Sequence, residues 1–354
     1  MTIDHQLIAR GGGEHSLNKL LEEAGVQRPF LLCDGAFPFL PCAEWKIAAA
    51  PCFQGVSPNP VIEDVRLAIA AYRASGCDGI VAVGGGSAID TAKGVKAFHQ
   101  MPAGDELRQT LSDTGLPLIA IPTTAGTGSE STQFAVIYEG GVKHSVSHPS
   151  LRPAAVLLEG ELLRTLPPYQ KKATLMDALC QGIESHWSRR ATAESRALAE
   201  RAIAGILENL DAYLAGDPAA AQRMLESANL SGQAINLTTT TAPHAMSYKL
   251  TSLYHIAHGH AVALCLPGVW RYMAAHGDGD LRRELDTLSG LLGGGGAEVV
   301  AGLNRRLGLD APQIAPEQLD ILAAAVNPQR LSNTPLPLDA DALRGLYAAL
   351  ASDA

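Results

Sequence analysis

A chain of 354 residues, 47% hydrophobic and 18% charged, exceeds the usual size of one compact core and is expected to fold as two domains. Its formal charge of −9 removes nucleic acid and anionic membrane from the expected partners, so an anionic substrate would have to be met by a local basic pocket. The six cysteines include no CxxC pair, no apolar run reaches membrane-spanning length, and the first residues lack the basic and apolar regions of a secretory signal; a cytoplasmic protein with reduced thiols is expected.

Short apolar runs at Phe30–Cys33, Gly79–Val83, Leu118–Ile121, Phe134–Tyr138 and Ala154–Leu158 alternate with helical patterns at Val61–Ser75 and Ala88–His99. Buried runs separated by helices predict an α/β domain with a mostly parallel sheet. After Thr165-Leu166-Pro167-Pro168 the strand signal fades. Ala/Leu-rich helical segments follow at 170–188, 194–214, 217–236, 243–254, 259–275 and 280–292. The expected division is therefore 1–160, an α/β dinucleotide-binding domain, and 161–354, an all-α metal-binding and substrate domain. The run Gly293–Gly296 follows a helix rather than a strand and reads as a connector.

Two loops carry the dinucleotide reading. Gly84-Gly85-Gly86-Ser87 lies between a buried strand and a helix whose next polar residue is Asp90. Glycines let the backbone approach a pyrophosphate, and the helix N-terminus favours its charge. Thr123, Thr124, Thr127 and Ser129 stud a second Gly-rich loop after another strand, which suits a dinucleotide laid across the strand ends. Asp34 ends the first strand and fits either an ordinary turn aspartate or an acceptor for the ribose hydroxyls.

In the helical half, Asp177 and Gln181 share a helix face with Glu184 close by, and four of the eleven histidines fall between His244 and His260. One carboxylate plus two imidazoles suits Zn²⁺ or Fe²⁺ with positions left open.

Taken in order, Ser57-Pro58-Asn59-Pro60, the 84–93 and 122–130 segments, Leu166-Pro167, Met176-Asp177-Ala178-Leu179 and the histidines at 244 and 258 resemble the iron-containing (group III) alcohol dehydrogenase family over nearly the whole chain. The resemblance implies a dinucleotide-binding α/β domain, a helical domain, and a catalytic metal between them. It implies NAD(H) or NADP(H) contacts at Asp34, Asn59, Gly85, Gly86, Ser87, Asp90, Thr123, Thr124, Thr127 and Ser129. It implies metal ligation by Asp177, His244 and His258, with Fe²⁺ or Zn²⁺ as the ion.

Two positions depart from the family pattern. Gln181 stands where a histidine ligand is usual, and Tyr248 where a histidine near the reacting carbonyl is common. An amide oxygen is the weaker donor, so looser metal binding is expected. These departures resemble the branch that reduces phosphonoacetaldehyde to 2-hydroxyethylphosphonate in phosphonate biosynthesis. On that reading Lys249 and His260 are substrate-binding candidates, and Tyr248 or His260 the proton source. A general short-chain alcohol dehydrogenase, a lyase of the dehydroquinate synthase type, and a non-catalytic nucleotide sensor or scaffold stand as alternatives. The assembly is open, a homodimer among the options.

Overall fold

The computed structural model describes residues 6–352. Eight strands and thirteen helices are present among them: β1 Leu7–Arg10, α1 Gly13–Glu23, β2 Pro29–Cys33, β3 Cys52–Phe53, α2 Ile62–Ser75, β4 Gly79–Gly84, α3 Gly86–Phe98, β5 Leu118–Pro122, β6 Phe134–Glu139, β7 Val142–Ser147 and β8 Ala155–Leu158, then α4 Pro168–Trp187, α5 Ala193–Leu214, α6 Pro218–Thr238, α7 Ala242–Tyr254, α8 His258–His276, α9 Gly279–Leu291, α10 Ala297–Leu307, α11 Gln318–Ala324, α12 Pro328–Leu331 and α13 Ala340–Ser352. No helix among the described residues is long and apolar enough to cross a membrane.

The chain divides into two compact units. The first runs up to Leu166 and also takes in Gly216–Gly232. Its sheet is six-stranded, in the order β1-β8-β5-β4-β2-β3, and every pairing is parallel. Central strand β4 shows why an uninterrupted apolar run is needed. Ile80 and Ala82 enter the core on the face covered by α2 and α3, while Val81 and Val83 enter the core on the face covered by α1. Each larger side chain so buried contributes about 1.5–3 kcal/mol. Burial on both faces is the mark of a parallel sheet.

One expected strand is placed differently. Phe134–Glu139 pairs antiparallel with β7 as a separate hairpin and does not join the parallel sheet. The first half of α6 packs against the sheet unit through polar ties. Gln222 accepts from Gly160 N (2.7 Å) and donates to Leu158 O (3.1 Å), and Asn229 donates to Glu130 (3.0 Å).

The second unit comprises Pro167–Ala215 and the chain from Gln233 onward. It is all helical. Pro168 at the first helical position starts α4, and a Thr192–Ser195 capping box starts α5. The segment Gly293–Gly296 links α9 to α10 with all four glycines in the left-handed region, as a connector requires.

Candidate active site

The strand order reverses at β2 and β4, because the chain sends β3 to one side of β2 and β4 to the other. Ligands of open α/β sheets lie beyond the carboxyl ends at such a point. Register makes those ends level: Cys33 is opposite Val83, and Gly84 opposite Pro122. Asp34, Gly85 and Thr123 therefore leave the sheet side by side.

The two Gly-rich loops touch. A Cβ on Gly86 would lie 2.8 Å from Thr127 Oγ1, so only glycine allows this approach. Thr124 packs against Gly85, and Thr123 N donates to Gly84 O (3.0 Å). Helix α3 opens at Gly86, so the unpaired N–H groups of its first turn and its dipole favour an anion there. Asn59 N donates to Ser87 Oγ (3.3 Å), drawing residue 59 to the same edge. Asp34 caps its own turn by accepting from Ala36 N (3.0 Å), and its other oxygen borders Gly84.

Asp90 and Ser129 are used differently from the expected cofactor contact. Ser129 Oγ donates to Asp90 Oδ1 (2.5 Å), and Val136 N donates to Asp90 Oδ2 (2.9 Å). Both side chains thus brace one loop against the other. The brace centres on Lys93, which the motif contained but the sequence reading left without a role. Its buried ammonium donates to Ser129 Oγ (2.9 Å), Thr132 Oγ1 (3.0 Å) and Phe134 O (2.7 Å). Burial pushes Lys93 down to about 8 and Asp90 up, while their mutual attraction opposes both shifts.

The second unit holds a metal-type cluster. One ligand atom from each of Asp177, His244 and His258 lies within 4.8 Å of the others. Donors about 2.1 Å from one ion stand about 3.0–4.2 Å apart, so small side-chain adjustments suffice to close round it. Asp177, Gln181 and Glu184 follow one another down a single face of α4, all buried. Helix α7 supplies His244, and α8 begins at His258. That start meets α4 closely: a Cβ on Gly259 would lie 2.1 Å from Ala173 O and 2.6 Å from Asp177 Cβ. A side chain there would force the helices apart and His258 away from Asp177.

Glu184 orients the cluster. One carboxylate oxygen bonds His244 Nδ1, and the other accepts from Thr241 N (2.6 Å) and Thr241 Oγ1 (2.8 Å). Nε2 of His244 then faces Asp177 Oδ1 at 3.3 Å. Burial opposes the imidazolium, yet Glu184 and Asp177 outweigh it and His244 is pushed up to about 9. An electronegative pocket that raises a histidine in this way also favours a metal cation. Ser247 Oγ sits 3.3 Å from His258 Nδ1. The donor set of one carboxylate, two imidazoles and a neighbouring amide fits a divalent transition metal.

Tyr248 lies one turn beyond His244 on α7 and stacks on His258, with ring centroids 5.5 Å apart and planes 2° from parallel. Lys249 is the next residue and so is turned about 100° away around the helix. His260 does not join the cluster. Its Nδ1 meets Tyr169 Oη (3.0 Å) and its Nε2 meets Asp310 O (3.0 Å). Both ring nitrogens are engaged by protein groups, where a proton donor or substrate group had been expected. Glu184 and Arg330, whose guanidinium donates to Tyr248 Oη (3.1 Å), are the residues that sequence reasoning had not assigned.

A nucleotide-type sheet edge and a metal-type cluster together define the make-up of a nicotinamide-linked oxidoreductase. Comparisons with known proteins sharpen this. Residues 5–160 match iron-containing alcohol dehydrogenase, and residues 171–350 match the C-terminal part of the same family. The chain is 36% identical over 320 residues to phosphonoacetaldehyde reductase of Streptomyces viridochromogenes, covering 81% of this chain and 80% of that one. It is 32% identical over 305 residues to lactaldehyde reductase of Escherichia coli, covering 78% and 80%. Among solved structures, the iron-containing alcohol dehydrogenase of Thermococcus thioreducens superposes with a TM-score of 0.89 at 27% identity, over 99% of both chains. The NAD⁺ complex of sulfoacetaldehyde reductase from Bifidobacterium kashiwanohense gives 0.89 at 26% identity, over 99% and 98%. The chain belongs to the iron-containing alcohol dehydrogenase family, and it is an NAD(P)-dependent alcohol dehydrogenase or aldehyde reductase.

Proposed function

We propose that this enzyme reduces phosphonoacetaldehyde to 2-hydroxyethylphosphonate, consuming one NAD(P)H and one proton per turnover, in the cytoplasm. The observation that carries the substrate is the 36% identity, over most of both chains, to a phosphonoacetaldehyde reductase. A structural neighbour that acts on sulfoacetaldehyde supports the same class of acceptor, a two-carbon aldehyde with an anionic head.

Asp177, His244 and His258, with Gln181 beside them, would hold the metal, iron or zinc. When bound, such an ion supplies Lewis-acid polarisation of a carbonyl. Glu184 keeps His244 in the tautomer that presents Nε2 to the cluster. Tyr248, whose hydroxyl accepts from Arg330, gives its proton to the substrate oxygen as hydride reaches the carbon. Gly85, Gly86, Ser87 and the first turn of α3 hold the pyrophosphate, with Asn59, Thr123, Thr124 and Thr127 around it. Asp34 accepts from the ribose hydroxyls and repels a 2′-phosphate, which favours NADH over NADPH.

Steady-state oxidation of NADH by the metal-loaded enzyme tests this reading with phosphonoacetaldehyde, acetaldehyde, lactaldehyde and butanal side by side. The expected result is a clearly higher kcat/KM for the phosphonate. A higher value for lactaldehyde would favour a neutral-aldehyde reductase, the reading that the lactaldehyde reductase similarity supports.

A further inference from the structure

We propose that Arg330 recognises the anionic head of the substrate, an inference that rests on the reading of this site as an anionic-aldehyde reductase. Arg330 lies in α12, half-buried, 82 residues from Tyr248 in the chain. Its Nη1 donates to Tyr248 Oη at 3.1 Å, and its Cζ stands 5.0 Å from the centre of the Tyr248 ring. That ring is the one stacked on His258. A guanidinium is thus one aromatic ring away from a residue of the cluster.

Among the described residues Arg330 forms no ion pair. Arg66, Arg196, Arg271, Arg306 and Arg344 each pair with a carboxylate. A half-buried arginine held only by a hydroxyl and a π face keeps most of its five donors for another acceptor. Its planar fork matches the oxygens of a phosphonate or sulfonate. In a chain of net charge −9, screening limits electrostatic reach to about 8 Å at physiological salt, so a local cation must do the recognising. The Tyr248 hydroxyl, the proton source in the reading above, is the group Arg330 touches, so the head group of an aldehyde whose oxygen meets that hydroxyl lies on the side of the guanidinium. Lys249, turned around α7 from Tyr248, and His260, with both nitrogens engaged, are worse placed for it.

The test compares the Arg330→Met and Arg330→Lys holoenzymes with the native one, using phosphonoacetaldehyde and acetaldehyde as paired substrates. In Arg330→Met the ratio of the two kcat/KM values should fall about ten- to hundred-fold in favour of acetaldehyde, the value of a lost charge-assisted hydrogen bond. The loss should appear in KM for the phosphonate, and Arg330→Lys should restore part of it. Calorimetric titration with 2-hydroxyethylphosphonate should show the same weakening without turnover. An unchanged ratio, with both substrates slowed alike, would mean that Arg330 only braces Tyr248 and would overturn the proposal. A native enzyme that prefers acetaldehyde would overturn the phosphonate reading and this inference together. A native preference for the phosphonate that survives in Arg330→Met would overturn this inference alone.

Discussion

Glu184 shows how one side chain sets the chemistry of another. Fully buried, it joins Thr241 and His244, so its charge is matched by three donors and the imidazole cannot rotate. Replacing it with glutamine puts an amide where the carboxylate faces His244 Nδ1. Metal affinity in Glu184→Gln is expected to fall about 10–100-fold, read by competition with a chromogenic chelator; unchanged affinity would deny Glu184 its orienting role. Gln181 permits the opposite experiment. Gln181→His adds an imidazole one turn beyond Asp177, and metal should then resist chelator better than in the native enzyme. Elemental analysis showing full, chelator-resistant occupancy in the native protein would contradict the weak-donor argument. At this scale the sequence was partly legible. The carboxylate on one face of α4 and the histidine-rich stretch 244–260 marked the region, and the family resemblance picked out 177, 244 and 258. The engagement of His260 was hidden, because its partners lie 91 and 50 residues away. Lys93 and Arg330 were missed for the same reason, since nothing local marks a cation whose acceptors are distant in the chain.

Elements were legible to the degree that burial wrote them into local pattern. β2, β4, β5 and β8 are apolar runs because both sheet faces are covered. The edge strands β1 and β3 are short and only partly buried, and β7 is largely polar, so none produced a run. β6 did, but a run names no partner, and its antiparallel pairing with β7 comes from the two-glycine turn at Gly140–Gly141. Ties between elements also carry pH dependence. Arg66 on α2 forks onto Glu106 with bonds of 3.0 and 2.8 Å and holds that carboxyl down at about 2. A depressed folded value means stability fully present above the ordinary glutamate range and lost as pH falls towards about 2. Glu106→Gln should cost about 2 kcal/mol at neutral pH by denaturant unfolding. The deficit relative to the native protein should shrink as pH falls from about 4.5 towards about 2. A deficit that stays constant through that window would place its cause outside the ion pair.

Across the molecule, two kinds of site chemistry sit on two architectures, each suited to its task. A parallel sheet lines up its strand ends beside a helix N-terminus, the edge proposed for the dinucleotide, while packed helices bring candidate metal donors from distant parts of the chain close together. Aldehyde reduction depends most on the second. Its most direct test is the His244→Ala and His258→Ala pair, with metal content by elemental analysis, NADH affinity by fluorescence, and aldehyde reduction measured on the same preparations. Loss of metal and turnover with NADH binding retained is the predicted result. Near-native reduction by either variant after metal stripping would contradict it.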